Sequence, residues 1–301
     1  MSQPAHPLTV RYLTLPISPE LAGLEVNTLL RRRLGLSGTV LRRIKWLDDG
    51  VTVDGVRVNV RYRVAVGQTL SVRLSDPDTV NQPWPTPGPL ELVYEDADLA
   101  IVDKPPGVLV HPSHGHFADT VGNYLMWHYL TRQEAAGFHP VHRLDQGTSG
   151  LLVTAKHPHG QQKLAAQLHT GAFRRVYLAV CDCIPQPTRG VIQAPLGPRP
   201  GHPTAQRVDP SGKPARTRYQ VVRALGERAL VELELDTGRT HQIRVHMAHL
   251  GCPLVGDGLY GSPAPIGRPA LHSARVELAH PITGQRLAWD CPLPQDIQAL
   301  L

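Results

Sequence analysis

The 301-residue sequence predicts an α+β protein with a small basic module at residues 1–75, a linker at 76–89 and a larger domain at 90–301. The larger domain is expected to carry a mixed, mostly antiparallel sheet with a cleft across its face; short apolar runs rich in strand formers alternate there with turn residues, a pattern that by itself suggests antiparallel pairing. The small module stands apart by charge. Residues 1–75 hold 11 Lys or Arg against 5 Asp or Glu, whereas residues 76–301 hold 20 of each, so the whole formal excess of +6 lies in the first quarter. Residues 76–89 contain five prolines and little periodicity, which reads as a semi-extended connection.

In chain order, Leu8–Leu15 reads as a strand. Leu21, Leu24, Leu29, Leu30 and Leu34 space loosely as one helix that leaves Arg31, Arg32 and Arg33 near its C-terminal end, where cations suit the helix dipole; Gly35 ends it. Ser37 suits the cap of a second helix whose Val40, Leu41, Ile44 and Leu47 make an apolar stripe, with Arg42, Arg43 and Lys45 largely off it. Beyond Gly50, residues 51–58 read as a hairpin turned at Asp54-Gly55, with more strand at Tyr62–Val66 and Thr69–Leu74. In the larger domain, strands are expected at Leu90–Tyr94, Leu99–Val102, Gly150–Ala155, Arg174–Cys181, Arg218–Arg223, Leu230–Leu235, Ala270–Leu278 and Arg286–Trp289. Helices are expected at Thr120–Leu130 and Gln161–Leu168, and Pro195–Pro214 reads as an irregular Pro/Gly-rich insertion.

Several classes are disfavoured. No early segment combines a basic start, an apolar core and a small-residue cleavage site, and no apolar run approaches bilayer length, so a cytoplasmic protein without membrane contact is expected. Cys181, Cys183, Cys252 and Cys291 show no paired zinc spacing and are expected as reduced thiols, Cys181 and Cys183 on one face of a strand. His111, His114, His116, His139 and His142 lack a carboxylate or Cys to complete a ligand pattern, so no metal is expected. Residues 147–156 lack the Gly-Lys-Ser/Thr ending of a phosphate loop and lead into a strand; a dinucleotide glycine fingerprint is also absent, and no cofactor is expected. A basic module on a formally neutral body fits a polyanionic partner, most simply nucleic acid, although charge alone describes a solvated basic face equally well.

The most informative stretch runs from His142 to Val153. Its apolar half reads as a buried strand, and its first half as the entering loop, where Gly147, Thr148, Ser149 and Gly150 supply turn chemistry. Asp145 thus stands just ahead of a rigid element. Arg143 lies two residues away, on the same side in extended backbone, and an adjacent guanidinium favours the ionised carboxylate. An ionised Asp can act as nucleophile or base, but by itself an Asp in such a loop more often only caps a turn. The string HRLDQGTSGLLVTAK, however, resembles the signature of the RluA-type family of pseudouridine synthases: HRLD, two variable residues, TSG and an apolar strand. YEDADLAIVDKPPGVLVHP and GRTHQIRVHMAHLGCPLVGDGLYG resemble two further motifs of that family. The small module, through Leu29, Ser37, Gly50, the Val-Thr-Val-Asp-Gly turn and Gly67, resembles the RNA-binding fold named after ribosomal protein S-four.

The resemblance implies a pseudouridine synthase fold and the roles of its residues. Asp145 would be catalytic, as nucleophile or base. Tyr177, which alternation alone makes an ordinary sheet tyrosine, would lie against the target base. Arg244 would pair with Asp145, with Arg239 as the competing choice, and Leu271, otherwise a plain strand leucine, would pack by the base. Arg143 would help hold the target uridine out of its stack. Arg31, Arg32, Arg42 and Arg43 are the candidate RNA contacts of the small module. The implied substrate is RNA, ribosomal RNA of the large subunit ahead of transfer RNA, with no obligate protein partner. The competing expectations are an N-glycosidase that uses the same Asp but admits water, and a non-catalytic RNA-binding ribosome-assembly factor.

Overall fold

The computed structural model describes residues 8–75, 81–261 and 266–301. The first part of the chain forms β1 (Tyr12–Pro16), α1 (Val26–Thr28, widening into a looser turn at Leu29–Arg33), α2 (Gly38–Ile44), β2 (Val51–Val53), β3 (Val56–Arg57) and β4 (Thr69–Arg73). The strands make an antiparallel sheet of order β1-β4-β2-β3. Val26, Leu29 and Leu30 of the first helix and Val40, Leu41 and Ile44 of the second pack with Val51, Val53, Leu70 and Val72 into a core of their own. The Ser37 side chain accepts a hydrogen bond from Val40 N and so caps α2.

Two expectations in this part are corrected. The single helix from Leu21 is broken, because Gly23 is left-handed (φ +78°) and gives its N–H to the Val64 carbonyl; only a short 3-10 turn at Pro19–Leu21 precedes the break. The strand expected at Tyr62–Val66 is absent. That segment spends its backbone groups on the start of α1 instead: the Tyr62 and Val60 carbonyls accept from Val26 N and Asn27 N at 2.9 and 2.8 Å, meeting donors that a helix N-terminus leaves open.

The second sheet has ten strands: β5 (Glu91–Glu95), β6 (Leu99–Lys104), β7 (His139–Pro140), β8 (Ser149–Ala155), β9 (Arg174–Cys181), β10 (Arg189–Gln193), β13 (Arg216–Leu225), β14 (Arg228–Leu235), β15 (Leu271–Ala279) and β16 (Arg286–Asp290). Its path runs β10-β13-β14-β9-β15-β8-β6-β5, with β16 on β15 and β7 on β8. Among the described residues only β15 and β8 pair in parallel within this sheet, so it is mixed and mostly antiparallel, as expected. The segment expected to be irregular contains a small ribbon, β11 (Leu196–Pro198) with β12 (Gln206–Val208). Helices α3 (Val121–Thr131) and α5 (Gln242–His249) cover one face, packing Leu125, Tyr129, Ile243 and Met247 against Leu152, Ala179 and Val231. On the other face Leu164 of α4 (Pro158–Leu168) meets Leu151, Val153 and Val276; a short α6 (Gln295–Gln298) ends the chain.

Residues 76–80 of the expected linker lie outside the described residues, and residues 81–89 are docked on the larger part. Gln82 Oε1 accepts from Phe138 N at 2.7 Å, and the Trp84 carbonyl accepts from Asn123 Nδ2 at 2.8 Å. Arg11, just before β1, donates both Nε and Nη2 to Asp98 at 2.8 and 3.0 Å, which fastens the small sheet to the large one. The cysteine expectation is also corrected. β9 stops at Cys181, so Cys183 leaves the strand; it is disulfide-bonded to Cys252, just past α5, at a Cα separation of 5.2 Å. A separation of 69 residues hid that pairing from sequence spacing. Among the described residues no helix is long and apolar enough to cross a membrane.

All seven residues of β8 are buried, and it is where the sheet changes from parallel to antiparallel pairing. Gly150, at its start, has φ +101°, and a Cβ there would lie 2.3 Å from the Ser273 carbonyl of β15. Only glycine fits both the dihedral and the approach. Gly150→Ala is therefore expected to destabilise the fold by about 3 kcal/mol, whereas Gly55→Ala, also at positive φ but in open space, costs about 1 kcal/mol. Urea denaturation of the two variants checks this; equal losses would show that strand contact at Gly150 is not the constraint.

Candidate active site

Asp145 occupies the loop between β7 and β8, and the loop is held from several directions. Leu144 is buried in the main core with Tyr177 and Leu271. The His142 ring accepts a hydrogen bond from Val153 N at 3.2 Å, and burial pushes its pKa down to about 3, so it is a neutral latch rather than an acid or base. Lys104, at the end of β6, is buried and donates to the carbonyls of Pro105, Val108 and Gln146 at 2.8, 2.8 and 3.1 Å. Its burial lowers its pKa to about 7, with Asp145 the leading influence in the opposite direction. Arg268 donates to the Gly147 carbonyl at 3.1 Å and is itself clamped by Asp296 at 2.6 and 2.8 Å. Thr148 N closes a turn on the Asp145 carbonyl at 3.0 Å. The backbone around Asp145 is thereby fixed while its carboxylate stays partly accessible.

That carboxylate faces α5. Arg244 Nη1 lies 3.6 Å from Asp145 Oδ2. The other edge of the same guanidinium is taken by Asp257, which accepts from Nε and Nη2 at 2.7 and 2.8 Å; this fork-to-fork geometry fixes the plane of the group and leaves Nη1 for Asp145. Asp257 also accepts from the backbone N–H of Leu259 and Tyr260, and the Tyr260 ring stacks 5.0 Å from Arg244 Cζ. Burial works against the Arg244 charge, but Asp257, with Asp145 beyond it, carries its pKa above the ordinary value. His241, left-handed at the start of α5 (φ +56°), places Nε2 4.0 Å from Asp145 Oδ2. Its Nδ1 is 2.8 Å from Tyr260 Oη, which also accepts from Gln206 N; a neutral His241 that accepts the Tyr260 hydroxyl proton at Nδ1 carries its own ring proton on the Asp145 side. Burial lowers the His241 pKa, consistent with that neutral form.

A cleft of about 510 Å³ opens beside this pair, lined in part by Arg143, Asp145, Arg175, Tyr177 and Arg239. Tyr177 is buried, and that burial raises its pKa. Arg143 is exposed at the rim. Leu271 lies in the core under Tyr177 rather than on the cleft wall. Arg239, the competing partner for Asp145, donates to the Pro214 carbonyl at 3.1 Å instead. Arg31, Arg32, Arg42 and Arg43 are exposed on the small module and do not line this cleft. Of His111, His114, His116, His139 and His142, only His111 and His142 reach the cleft. One group of possible metal ligands among the described residues, Asp96, Asp98 and His280, lies elsewhere, and its Asp98 is taken by protein side chains, Arg11 and His157. Residue-by-residue reading missed Asp257, Tyr260, His241, Lys104 and Arg268. For Asp257 a signal existed: an Asp between two glycines, three residues before a Tyr, in the stretch that also holds Arg244.

The fold defines the class. A solved structure, human RNA pseudouridylate synthase domain containing 4, superposes with a TM-score of 0.58 at 24% identity over 70% of this chain and 91% of that one, which shows the pseudouridylate synthase fold. Residues 98–249, which contain both Asp145 and Arg244, match the model of the RNA pseudouridylate synthase family. Ribosomal large subunit pseudouridine synthase D of Nitrosomonas europaea is 37% identical over 96% of this chain and 87% of its own length; the synthase of the same description from Pasteurella multocida is 38% identical over 85% and 84%. The chain belongs to the RNA pseudouridylate synthase family, and is an isomerase acting on RNA.

Because Asp257 fixes the guanidinium that faces Asp145, Asp257→Asn is expected to lower the single-turnover rate about 100-fold with little change in RNA affinity, and to destabilise the fold by about 3 kcal/mol. Rapid-quench kinetics beside thermal melts check it. A rate within a few-fold of wild type would mean that the ion pair serves the fold alone.

Proposed function

We propose that this chain converts specific uridines of large-subunit ribosomal RNA into pseudouridine in the cytoplasm, with Asp145 as the nucleophile or base. The observation that carries the reading is the pairing of a partly accessible Asp145 with a buried guanidinium already locked by Asp257, at the mouth of a cleft that also holds Tyr177. The target RNA is inferred from the relatives described as acting on the large subunit.

The chemistry follows from the chain's own groups. Asp145 attacks the anomeric carbon or removes the neighbouring ribose proton, the bond from C1′ to N1 breaks, and the base leaves with the electron pair as a delocalised anion. Glycosidases need a second carboxyl group to protonate an alkoxide leaving group. Here the nearby carboxylates are otherwise engaged, Asp257 with Arg244 and Asp236 with Arg216 and Arg218. An anionic base removes most of that requirement. Tyr177 lies against the base, with Leu271 in support; Arg143, exposed at the rim, stacks or contacts phosphate when the uridine leaves its duplex at a cost of a few kcal/mol. Arg244 aims Asp145 at the substrate. The small module, with Arg31, Arg32, Arg42 and Arg43 exposed, is an S-four-like RNA-binding domain that adds affinity by phosphate contact.

Ribosomal RNA labelled with tritium at carbon five of uracil, from a strain lacking this protein, tests the reading. Wild-type protein is expected to release the label to water without free uracil, and Asp145→Asn to be slower by on the order of 10³-fold or more. Labelled free uracil would identify an N-glycosidase. Absence of reaction on ribosomal RNA, with release from transfer RNA, would reassign the substrate, and inertness on both would favour a binding factor.

A further inference from the structure

Arg175 is the second residue of β9, two before Tyr177 and so on the same face of the strand, roughly 7 Å along it. It is only 5% exposed. Its Nε is buried without a hydrogen-bond partner, and among the described residues no carboxylate pairs with the guanidinium. Its neighbour Arg174 points the other way and is fully engaged, by Glu234 and Glu277. The Arg175 side chain reaches the Gly238 backbone, where a side-chain carbon would sit 3.4 Å from Nη1, and it forms part of the same cleft wall as Asp145. A buried charge without a partner is costly, and proteins keep one where a ligand completes it.

We propose that Arg175 is a catalytic residue of the isomerisation, the cation that receives the detached uracil anion. The inference rests on the reading given above and deepens it. When the C1′–N1 bond breaks, its electron pair spreads over the base onto the two carbonyl oxygens, where a buried guanidinium stabilises charge that the intact nucleotide does not carry. The base then turns and C5 bonds to C1′ as the bond from Asp145 to C1′ breaks, or as the ribose proton that Asp145 removed is returned; the C5 proton leaves to solvent and N1 takes up a proton, so that the sum is an isomerisation. Held against Arg175, the anion keeps its place while it turns. A phosphate oxygen has the same appeal to a guanidinium, but phosphates lie on the outside of a flipped nucleotide, where exposed Arg143 and Arg239 rim the cleft. The group that travels as deep as Tyr177 is the base.

The test uses the full chain, the tritium-labelled ribosomal RNA and wild type with Asp145→Asn as references. Arg175→Met is expected to slow single-turnover label release about 100-fold at saturating RNA, with RNA affinity within about threefold of wild type. Some free uracil is expected to appear, because the base is no longer retained, and the melting temperature is not expected to fall, because an unpaired buried charge has gone. Arg175→Gln gives the same result by a neutral group of similar length and decides the matter should the Met variant not fold; Arg175→Lys recovers part of the rate. A wild-type rate in the folded neutral variants overturns the proposal, as does a defect that vanishes at saturating RNA, which would make Arg175 a phosphate contact. Absence of label release by wild type removes both this inference and the function on which it rests.

Discussion

The contact between Arg244 and Asp145 is the interaction on which the rest of the structure depends. At 3.6 Å it is looser than a closed ion pair, while the opposite edge of the same guanidinium is held by Asp257 at 2.7 and 2.8 Å. The asymmetry has a chemical consequence. A carboxylate locked as firmly as Asp257 is a poor nucleophile, because its lone pairs are spent; one that faces a fixed positive charge at longer range keeps lone pairs free for a substrate. Asp257 immobilises the guanidinium so that Asp145 need not.

Keeping Arg244 and Asp145 in register requires two elements far apart in sequence to be rigid. The Asp145 loop is tied to β6 through Lys104, to β8 through His142 and to the C-terminal segment through Arg268 and Asp296, while Leu144 anchors it in the core. α5 is set by Ile243 and Met247 in the same core and by the covalent link from Cys252 to Cys183 beyond β9. β8 and β9 flank β15 on its two sides, so the Asp145 loop and Tyr177 are fixed to neighbouring positions of one sheet; Gly150 lets β15 approach closely enough for that.

Much of this was legible in the sequence because local chemistry and tertiary demand agree. Thr120 caps α3 with a reciprocal bond to Asn123, Ser37 caps α2, and the apolar run after Gly150 became the most buried strand. Motif strings placed the family and Asp145 together. Legibility failed where one segment satisfies another's backbone: residues 60–64 alternate like a strand but serve the N-terminus of α1, and Gly23 breaks an apolar spacing that looks continuous. It failed again for the ties of Lys104 to Gln146 and of Arg268 to Gly147, which span 42 and 121 residues and leave no local pattern. The pairing of Cys183 with Cys252 was hidden for the same reason.

The large-subunit assignment and the role of Asp145 meet in a single cellular measurement, the pseudouridine map of ribosomal RNA read by carbodiimide adducts and reverse transcription. Cells lacking this protein would be compared with cells given back the wild type or the Asp145→Asn form. The account predicts that specific large-subunit stops disappear on deletion and return with wild type but not with Asp145→Asn. A large-subunit map unchanged by deletion, or restored by Asp145→Asn, would contradict it.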